Sequence, residues 1–220
     1  MTSRLLMVVF PLILPTVAGT VLFLAAGRLD LPMVWAVLGV LTVFSVAIVV
    51  LCEPGLVRER VRPGPGNRDR FTSRLGTLLL AGHWIVTGLD VGRYQWSPVP
   101  LPLQIIGLLG YAAGLGALLW AMRVNPFYSS VVRIQTDRGH RPITTGPYRF
   151  VRHPGYTASI VCFFCGGLAL GSWLGTALLA VFAAVFIRRT LLEDRLLMNE
   201  LEGYADYARK VRYRLIPGLF

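Results

Sequence analysis

Long apolar runs are the feature that most constrains the fold of this chain. A helix needs about 20 predominantly apolar residues to cross a bilayer, and 55% of the 220 residues are hydrophobic while only 15% are charged. Six runs qualify as candidate spans, at residues 5–26, 32–51, 75–90, 101–122, 157–170 and 173–187. The first run is too long for a cleaved signal peptide and a second follows at once, so we interpret it as a retained span. We therefore expect an all-α integral membrane protein with about six transmembrane helices.

The last two spans are expected to form a tight hairpin, because only Gly171 and Ser172 separate them. Residues 192–211 then show charged and apolar side chains at helical spacing, which predicts an amphipathic helix on the cytoplasmic surface. The sequence thus divides into an N-terminal part with spans one to four, residues 1–122, and a C-terminal part, residues 123–220. The second part combines a polar loop, the hairpin and the surface helix.

The basic residues predict the orientation of the spans. With six spans both termini lie on one side, and of the 22 basic residues only Arg28 and Arg93 fall on the other. The positive-inside rule makes the basic side cytoplasmic. The net charge of +11 follows from this topology, so it predicts attraction to anionic membrane lipid and no nucleic-acid partner. A single lysine among the basic residues indicates a GC-rich, bacterial genome and hence the inner membrane. Within the basic side, residues 57–70 are interpreted as a flexible connector rather than a binding site.

Several polar or small residues inside the spans have structural interpretations. Cys162 and Cys165 have the spacing of a metal or redox pair but lie in an apolar run without further ligands, so we predict no metal site. His83 and Asp90 share a helix face and are interpreted as a packed or water-facing pair. Gly114, with glycines four residues before and two after it, indicates close helix packing. A cofactor passing close to the bare backbone is the alternative.

The cassette GPYRFVRHPGY, residues 146–156, is the first cluster with candidate chemistry. Pro154 suits the first turn of the fifth span, which places Arg152 and His153 just before a helix N-terminus. Backbone N–H groups at that position favour an anionic group. Tyr148 and Tyr156 add aromatic faces for a flat ring. An ordinary basic and aromatic membrane boundary explains the same residues equally well.

The second cluster is RRTLLEDR, residues 188–195, at the end of the sixth span. Arg189 and Glu193 are four residues apart, which suits a helix-surface ion pair. Alternatively, Glu193 and Asp194 bind something cationic or rich in hydroxyls. Both clusters lie at the cytoplasmic ends of one hairpin and must be neighbours. Together they suit S-adenosylmethionine, which has a ring, a ribose, an ammonium, a carboxylate and a sulfonium.

The order of these motifs resembles the isoprenylcysteine carboxyl methyltransferase family, and phospholipid N-methyltransferases share much of it. The resemblance covers about the last hundred residues and includes the cassette, the hairpin, the acidic pair and YADYARKVRYRLIP. It implies that Arg189 faces the carboxylate of the methyl acceptor. Asp194 departs from the family pattern, which has a second glutamate there. The residues implied to contact S-adenosylmethionine are Gln135, His140, Arg141, Pro142, Ile143, Tyr148, His153, Pro154, Gly155, Tyr156, Glu193 and Asp194.

The function implied by this resemblance is methyl transfer to a lipophilic acceptor that arrives from the bilayer. The expected acceptor is the C-terminal carboxylate of a prenylcysteine or a similar isoprenoid or lipid acid. A carboxylate needs no deprotonation, and the sequence has no obvious dedicated base, which favours O-methylation over methylation of a phospholipid amine. Two further alternatives remain at this point: an NADPH-dependent reductase of the membrane sterol type, and a membrane scaffold or transporter without catalysis.

Overall fold

The computed structural model describes the backbone of residues 2–220 and the side chains of residues 11–220. Within this part of the chain the secondary structure is helical, without strands. The α-helices are α1 Thr2–Ala26, α2 Pro32–Leu51, α3 Pro54–Val61, α4 Arg70–Leu89, α5 Leu101–Val124, α6 Pro154–Leu170, α7 Trp173–Glu200 and α8 Tyr204–Lys210.

The prediction of an all-α membrane protein with six apolar helices is confirmed. The helices α2, α5, α7 and the continuous stretch Arg70–Tyr94 are long and apolar enough to cross a membrane, while Pro11–Ala26 and α6 are shorter apolar helices. Helix α4 begins five residues before the predicted span because the Asp69 carboxylate accepts a hydrogen bond from the Thr72 N–H, at 3.1 Å. Helix α7 continues thirteen residues beyond the predicted end at 187. This extension carries the second cluster.

Helices α5 and α6 pack closely through a glycine face. A Cβ atom added to Gly107 would lie 2.7 Å from the backbone nitrogen of Ala169, and one on Gly114 would lie 2.8 Å from Cys162 Sγ. These contacts agree with the interpretation of the glycines as packing residues. Cys162 and Cys165 are free thiols. Across the described residues no group of three or more histidine, cysteine or acidic side chains could hold a metal ion.

The tight hairpin between α6 and α7 is present as predicted, and it is anchored to the end of α4. Gly171 ends α6 with φ 89°, a left-handed conformation that glycine adopts without strain. The Ser172 hydroxyl accepts from the Gly175 N–H at 2.9 Å and donates to Asp90. His83 instead contacts the Gly175 carbonyl. His83 and Asp90 therefore join α4 to the hairpin separately and do not form a pair.

Two expectations about the basic segments outside the spans are wrong. Residues 57–70 are not simply a connector, because α3 precedes the turn and its Glu59 is 6% exposed and ion-paired with Arg133. The partner lies 74 residues away, so local sequence could not reveal it. The single amphipathic helix over 192–211 is also wrong. The chain breaks at Gly203, which has φ 77°, and the short α8 that follows buries Tyr204 and Tyr207 against the loop between α5 and α6.

Candidate active site

Asp194 is the centre of an ionic cluster that fixes the cassette against α7. Its two oxygens accept from Nε and Nη2 of Arg152 at 2.8 and 2.9 Å. Arg214 Nε donates to it at 2.8 Å and the Tyr204 hydroxyl at 2.9 Å. His153 Nε2 lies 3.2 Å from the same carboxylate. Arg152 and Asp194 are thus engaged by contacts within the protein, although Arg152 also lines the neighbouring polar cavity.

A polar cavity lies beside this cluster. It is bounded by the loop after α5, the cassette, the end of α7 and α8, and it encloses about 740 Å³, including the part open to solvent. Ten of the twelve residues predicted to contact the cofactor line it, whereas Pro154 and Asp194 do not. The ten are Gln135, His140, Arg141, Pro142, Ile143, Tyr148, His153, Gly155, Tyr156 and Glu193.

The loop wall of the cavity is held in shape by Gln135 and His140. The Gln135 amide donates to the Phe127 carbonyl at 2.6 Å and accepts from Arg138 at 2.5 Å. The His140 ring packs on Phe127 with 4.7 Å between ring centroids. Desolvation lowers the pKa of His140 to about 4, against the opposing influence of Glu193. His140 therefore presents a neutral imidazole to the cavity at neutral pH.

Tyrosines form the opposite wall. The Tyr148 hydroxyl accepts from Asn125 Nδ2 at 3.0 Å, and the Tyr207 hydroxyl donates to the Tyr148 carbonyl at 2.6 Å. Burial raises the pKa of both phenols, so they stay protonated and uncharged. Tyr204 and Tyr207 also line the cavity, although no site role was predicted for them. Their Y-x-x-Y spacing within the motif order was the signal that could have identified them.

Glu193 and Arg189 do not form the direct ion pair that their spacing allows. Both are hydrogen-bonded to the Tyr156 hydroxyl instead. The Tyr156 hydroxyl donates to Glu193 Oε2 and accepts from Arg189 Nε at 2.8 Å. Arg189 Nη2 donates to the Ser130 carbonyl at 2.9 Å. Within the described residues Glu193 Oε1 and Arg189 Nη1 have no hydrogen-bond partner. Glu193 Oε1 is therefore left to accept a hydrogen bond from a ligand and Arg189 Nη1 to donate one, on either side of the Tyr156 phenol.

A second cavity, mostly apolar, extends into the membrane-spanning part and has a volume of about 1270 Å³, including the part open to its surroundings. Side chains from α1, α2 and α4 to α7 line it, and Arg60 and Arg189 are its two basic lining residues. Tyr128, Ser129 and Tyr156 line both cavities, so they form a shared wall. Arg189 lines the apolar cavity and Glu193 the polar one. The Tyr128 ring packs directly against Gly155, because a Cβ atom at residue 155 would lie 2.4 Å from a carbon of that ring.

Comparison with known proteins gives a family for this segment. The family model of phospholipid methyltransferases matches residues 103–202. Two bacterial relatives are a nickel-cobalt-cadmium resistance protein of Alcaligenes xylosoxydans xylosoxydans, 28% identical over 66% of this chain and 67% of that protein, and a cobalt-zinc-cadmium resistance protein of Cupriavidus metallidurans, 30% identical over 64% of each.

Rice provides a further relative, a probable protein-S-isoprenylcysteine O-methyltransferase that is 28% identical over 38% of this chain and 45% of that protein. The chain thus spans about two thirds of the length of the bacterial relatives and less than half of the plant one. The matched family segment begins in α5 and ends just after α7, so it contains the cassette and the acidic pair. The predicted relationship is supported: residues 103–202 match the phospholipid methyltransferase family model, and part of the chain is similar to probable isoprenylcysteine O-methyltransferases.

Proposed function

We propose that this membrane methyltransferase relative transfers a methyl group from S-adenosylmethionine to a carboxylate of a lipophilic acceptor, such as the C-terminal carboxylate of a prenylcysteine or a similar isoprenoid or lipid acid. The observation that carries this proposal is the shared wall of Tyr128, Ser129 and Tyr156 between a polar cavity and an apolar one. A water-soluble donor and a lipid acceptor need sites of opposite polarity that meet at one point.

The polar cavity has the donor set that S-adenosylmethionine requires. Glu193 Oε1 is available to accept from an ammonium or a ribose hydroxyl. Arg141 lines the cavity with an exposed guanidinium, which suits a carboxylate. Tyr148, Tyr156 and the neutral His140 supply flat or uncharged faces for a ring. Asp194 is left out of this set, because its oxygens are already bonded to Arg152, Arg214 and Tyr204.

Arg189 is the residue to which we assign the acceptor carboxylate. When bound, the cofactor supplies an electrophilic methyl group on a sulfonium. A carboxylate is already nucleophilic at neutral pH, so Arg189 has to orient it rather than deprotonate it, and Nη1 is the atom left to do so. Such positioning contributes about 7–11 kcal/mol in favourable cases. Tyr156 holds both Arg189 and Glu193, which couples the placement of acceptor and donor.

The orientation in the membrane follows from the distribution of charge. We assign the polar cavity to the cytoplasmic side of a bacterial inner membrane, because the basic residues concentrate at that end of the helices. The acceptor then enters the apolar cavity from the bilayer, and residues 123–220 act as the methyltransferase core. Anionic lipid would gather at the same basic surface.

A phospholipid amine is the second candidate acceptor, favoured by the description of the matching family model. An amine must lose a proton before it attacks. Glu193 and Tyr156 offer a route, since the Tyr156 hydroxyl already donates to the carboxylate. Methyl transfer to phosphatidylethanolamine rather than to a lipid acid would identify this alternative.

The proposal is tested by ligand-dependent thermal stabilisation of the detergent-purified protein. S-adenosylhomocysteine should stabilise it by about 2.7 kcal/mol at 100 times its dissociation constant, and NADPH should not. Glu193→Ala and His153→Ala should lose this stabilisation. Arg189→Ala should keep it but lose turnover of a prenylcysteine analogue, with Arg189→Lys as the charge-conserving control. Stabilisation by NADPH alone would indicate the reductase alternative, and normal turnover by Arg189→Ala would refute the role of that arginine.

A further inference from the structure

His83 is a buried polar residue that the proposed reaction does not use. It lies on α4, is 2% exposed and lines the apolar cavity. Its Nδ1 is 3.0 Å from the carbonyl oxygen of Gly175 on α7. A carbonyl can only accept a hydrogen bond, so Nδ1 carries the proton, and the neutral ring then has its lone pair on Nε2. The Thr87 hydroxyl lies 3.3 Å from Nδ1 as well, which leaves Nε2 as the uncommitted atom.

The environment of Nε2 keeps it an acceptor. The residues that line the apolar cavity include no carboxylate, so a second proton on the ring would create a buried charge without a counter-ion. Within the described residues Nε2 makes no hydrogen bond, and since Asp69 Oδ2 is the one fully buried side-chain atom without a partner there, Nε2 is open to the cavity that His83 lines. Polar atoms shielded from bulk water are normally satisfied. An unpaired acceptor in an apolar binding cavity therefore indicates that a ligand supplies the donor.

The position of His83 relative to Arg189 gives the length of that ligand. Gly175, which holds the His83 ring, precedes Arg189 by fourteen residues on α7. At 1.5 Å per residue this is about 21 Å along the helix axis. The backbone positions that carry the cationic donor and hold the neutral acceptor are thus roughly 21 Å apart along α7, and apolar side chains line the cavity between them.

We propose that the physiological acceptor is a long-chain lipid acid whose far end carries a hydrogen-bond donor, a hydroxyl or an N–H, that binds His83 Nε2. This inference rests on the proposed function, since it assumes that the acid end lies at Arg189. His83 is then a specificity residue that distinguishes hydroxylated or aminated chains from plain hydrocarbon chains of equal length. Without this hydrogen bond the membrane-embedded cavity would bind both kinds of chain, because apolar contacts alone discriminate weakly between them.

The test compares hexadecanoic acid with 16-hydroxyhexadecanoic acid as ligands of the full chain in lipid nanodiscs. Dissociation constants are obtained from dose-dependent thermal stabilisation, so the result does not depend on turnover. One additional hydrogen bond predicts that the hydroxy acid binds the wild-type protein about 3- to 10-fold more tightly. His83→Gln retains an acceptor near the position of Nε2 and should keep this preference. His83→Asn retains a donor near Nδ1 for the Gly175 carbonyl but lacks the deeper acceptor, and should lose the preference.

The variant pair separates recognition from a merely structural role of His83. If the residue served only to join α4 to α7, His83→Asn would behave like the wild type and His83→Gln would be the perturbed variant. Equal affinity of the two acids for the wild-type protein would overturn the inference, and so would failure of both acids to bind. Stabilisation by S-adenosylhomocysteine, measured in the same samples, reports separately on the proposed function.

Discussion

Glu193 and Asp194 are adjacent acidic residues, and the structure assigns them different tasks that one pair of substitutions can separate. Glu193 faces the polar cavity, where one of its oxygens is left for a ligand. Asp194 faces the cassette and the C-terminal segment, where it pairs with Arg152 and Arg214. We expect Asp194→Asn to destabilise the fold and Glu193→Gln to remove ligand binding while leaving the fold intact.

The expected loss of stability in Asp194→Asn follows from the buried Arg152 guanidinium, which would lose its carboxylate partner. The Arg152 side chain is 6% exposed, and removal of one partner of a buried ion pair typically costs about 3–5 kcal/mol. Arg152 would still donate to the carbonyls of Val211 and Arg212 at 3.0 and 2.8 Å, which places the cost near the lower end. For a chain of this size about 3 kcal/mol corresponds to a melting temperature roughly 6–12 °C lower.

The assay is thermal unfolding in detergent, monitored with a thiol-reactive fluorophore. Cys52 and Cys162 are free and buried, so they react when the helices separate. Asp206→Asn is the matched control, because this aspartate lies in the same C-terminal segment but is exposed, and its melting temperature should hardly change. The reasoning is refuted if Asp194→Asn melts within about 2 °C of the wild type, a shift that corresponds to no more than 1 kcal/mol.

Further substitutions test the packing of α5 on α6 and the ion pair between Glu59 and Arg133. Gly114→Ala should destabilise by about 1–3 kcal/mol, since its Cβ would lie 2.8 Å from Cys162 Sγ; Gly116→Ala meets no atom within 4 Å and should be neutral or stabilising in the same thermal assay. The hydrogen bond from Arg133 lowers the pKa of Glu59, so this carboxylate stabilises the fold fully above its usual pKa of 4.5 and progressively less as the pH falls. The difference in melting temperature between the wild type and Glu59→Gln should therefore shrink below about pH 4.5, and a constant difference would contradict the role of the ion pair.

The sequence predicted the membrane helices well because the bilayer imposes a length and a composition that can be read locally. It failed where distant contacts decide the structure. Helix α3 has too few apolar residues to be recognised, yet Glu59 is held by Arg133 from the loop after α5. The break before α8 depends on the left-handed Gly203 and on the burial of Tyr204, which interrupt a pattern that otherwise continues as one helix.

The candidate site could be predicted from the sequence to about the same extent as the fold. The motif order brought together most residues of the polar cavity, because a hairpin necessarily places its two ends side by side. It could not distinguish Glu193 from Asp194, since both side chains suit the same ligand groups and only their contacts separate them. It also gave no indication of the apolar cavity, which is built from residues of seven helices that are individually unremarkable.

The shared wall explains why a chain so rich in apolar residues interrupts itself with the cassette. Gly155 and Tyr156 lie side by side in it, and each is needed for a different contact. Tyr128 can lie against α6 only because residue 155 lacks a side chain, and Tyr156 reaches both Arg189 and Glu193 from the next position. A bulkier residue at 155 would displace Tyr128 and open the wall between the two cavities. The cassette thus builds the boundary between the two cavities, and under the proposed function the methyl donor and the acceptor would meet at this boundary.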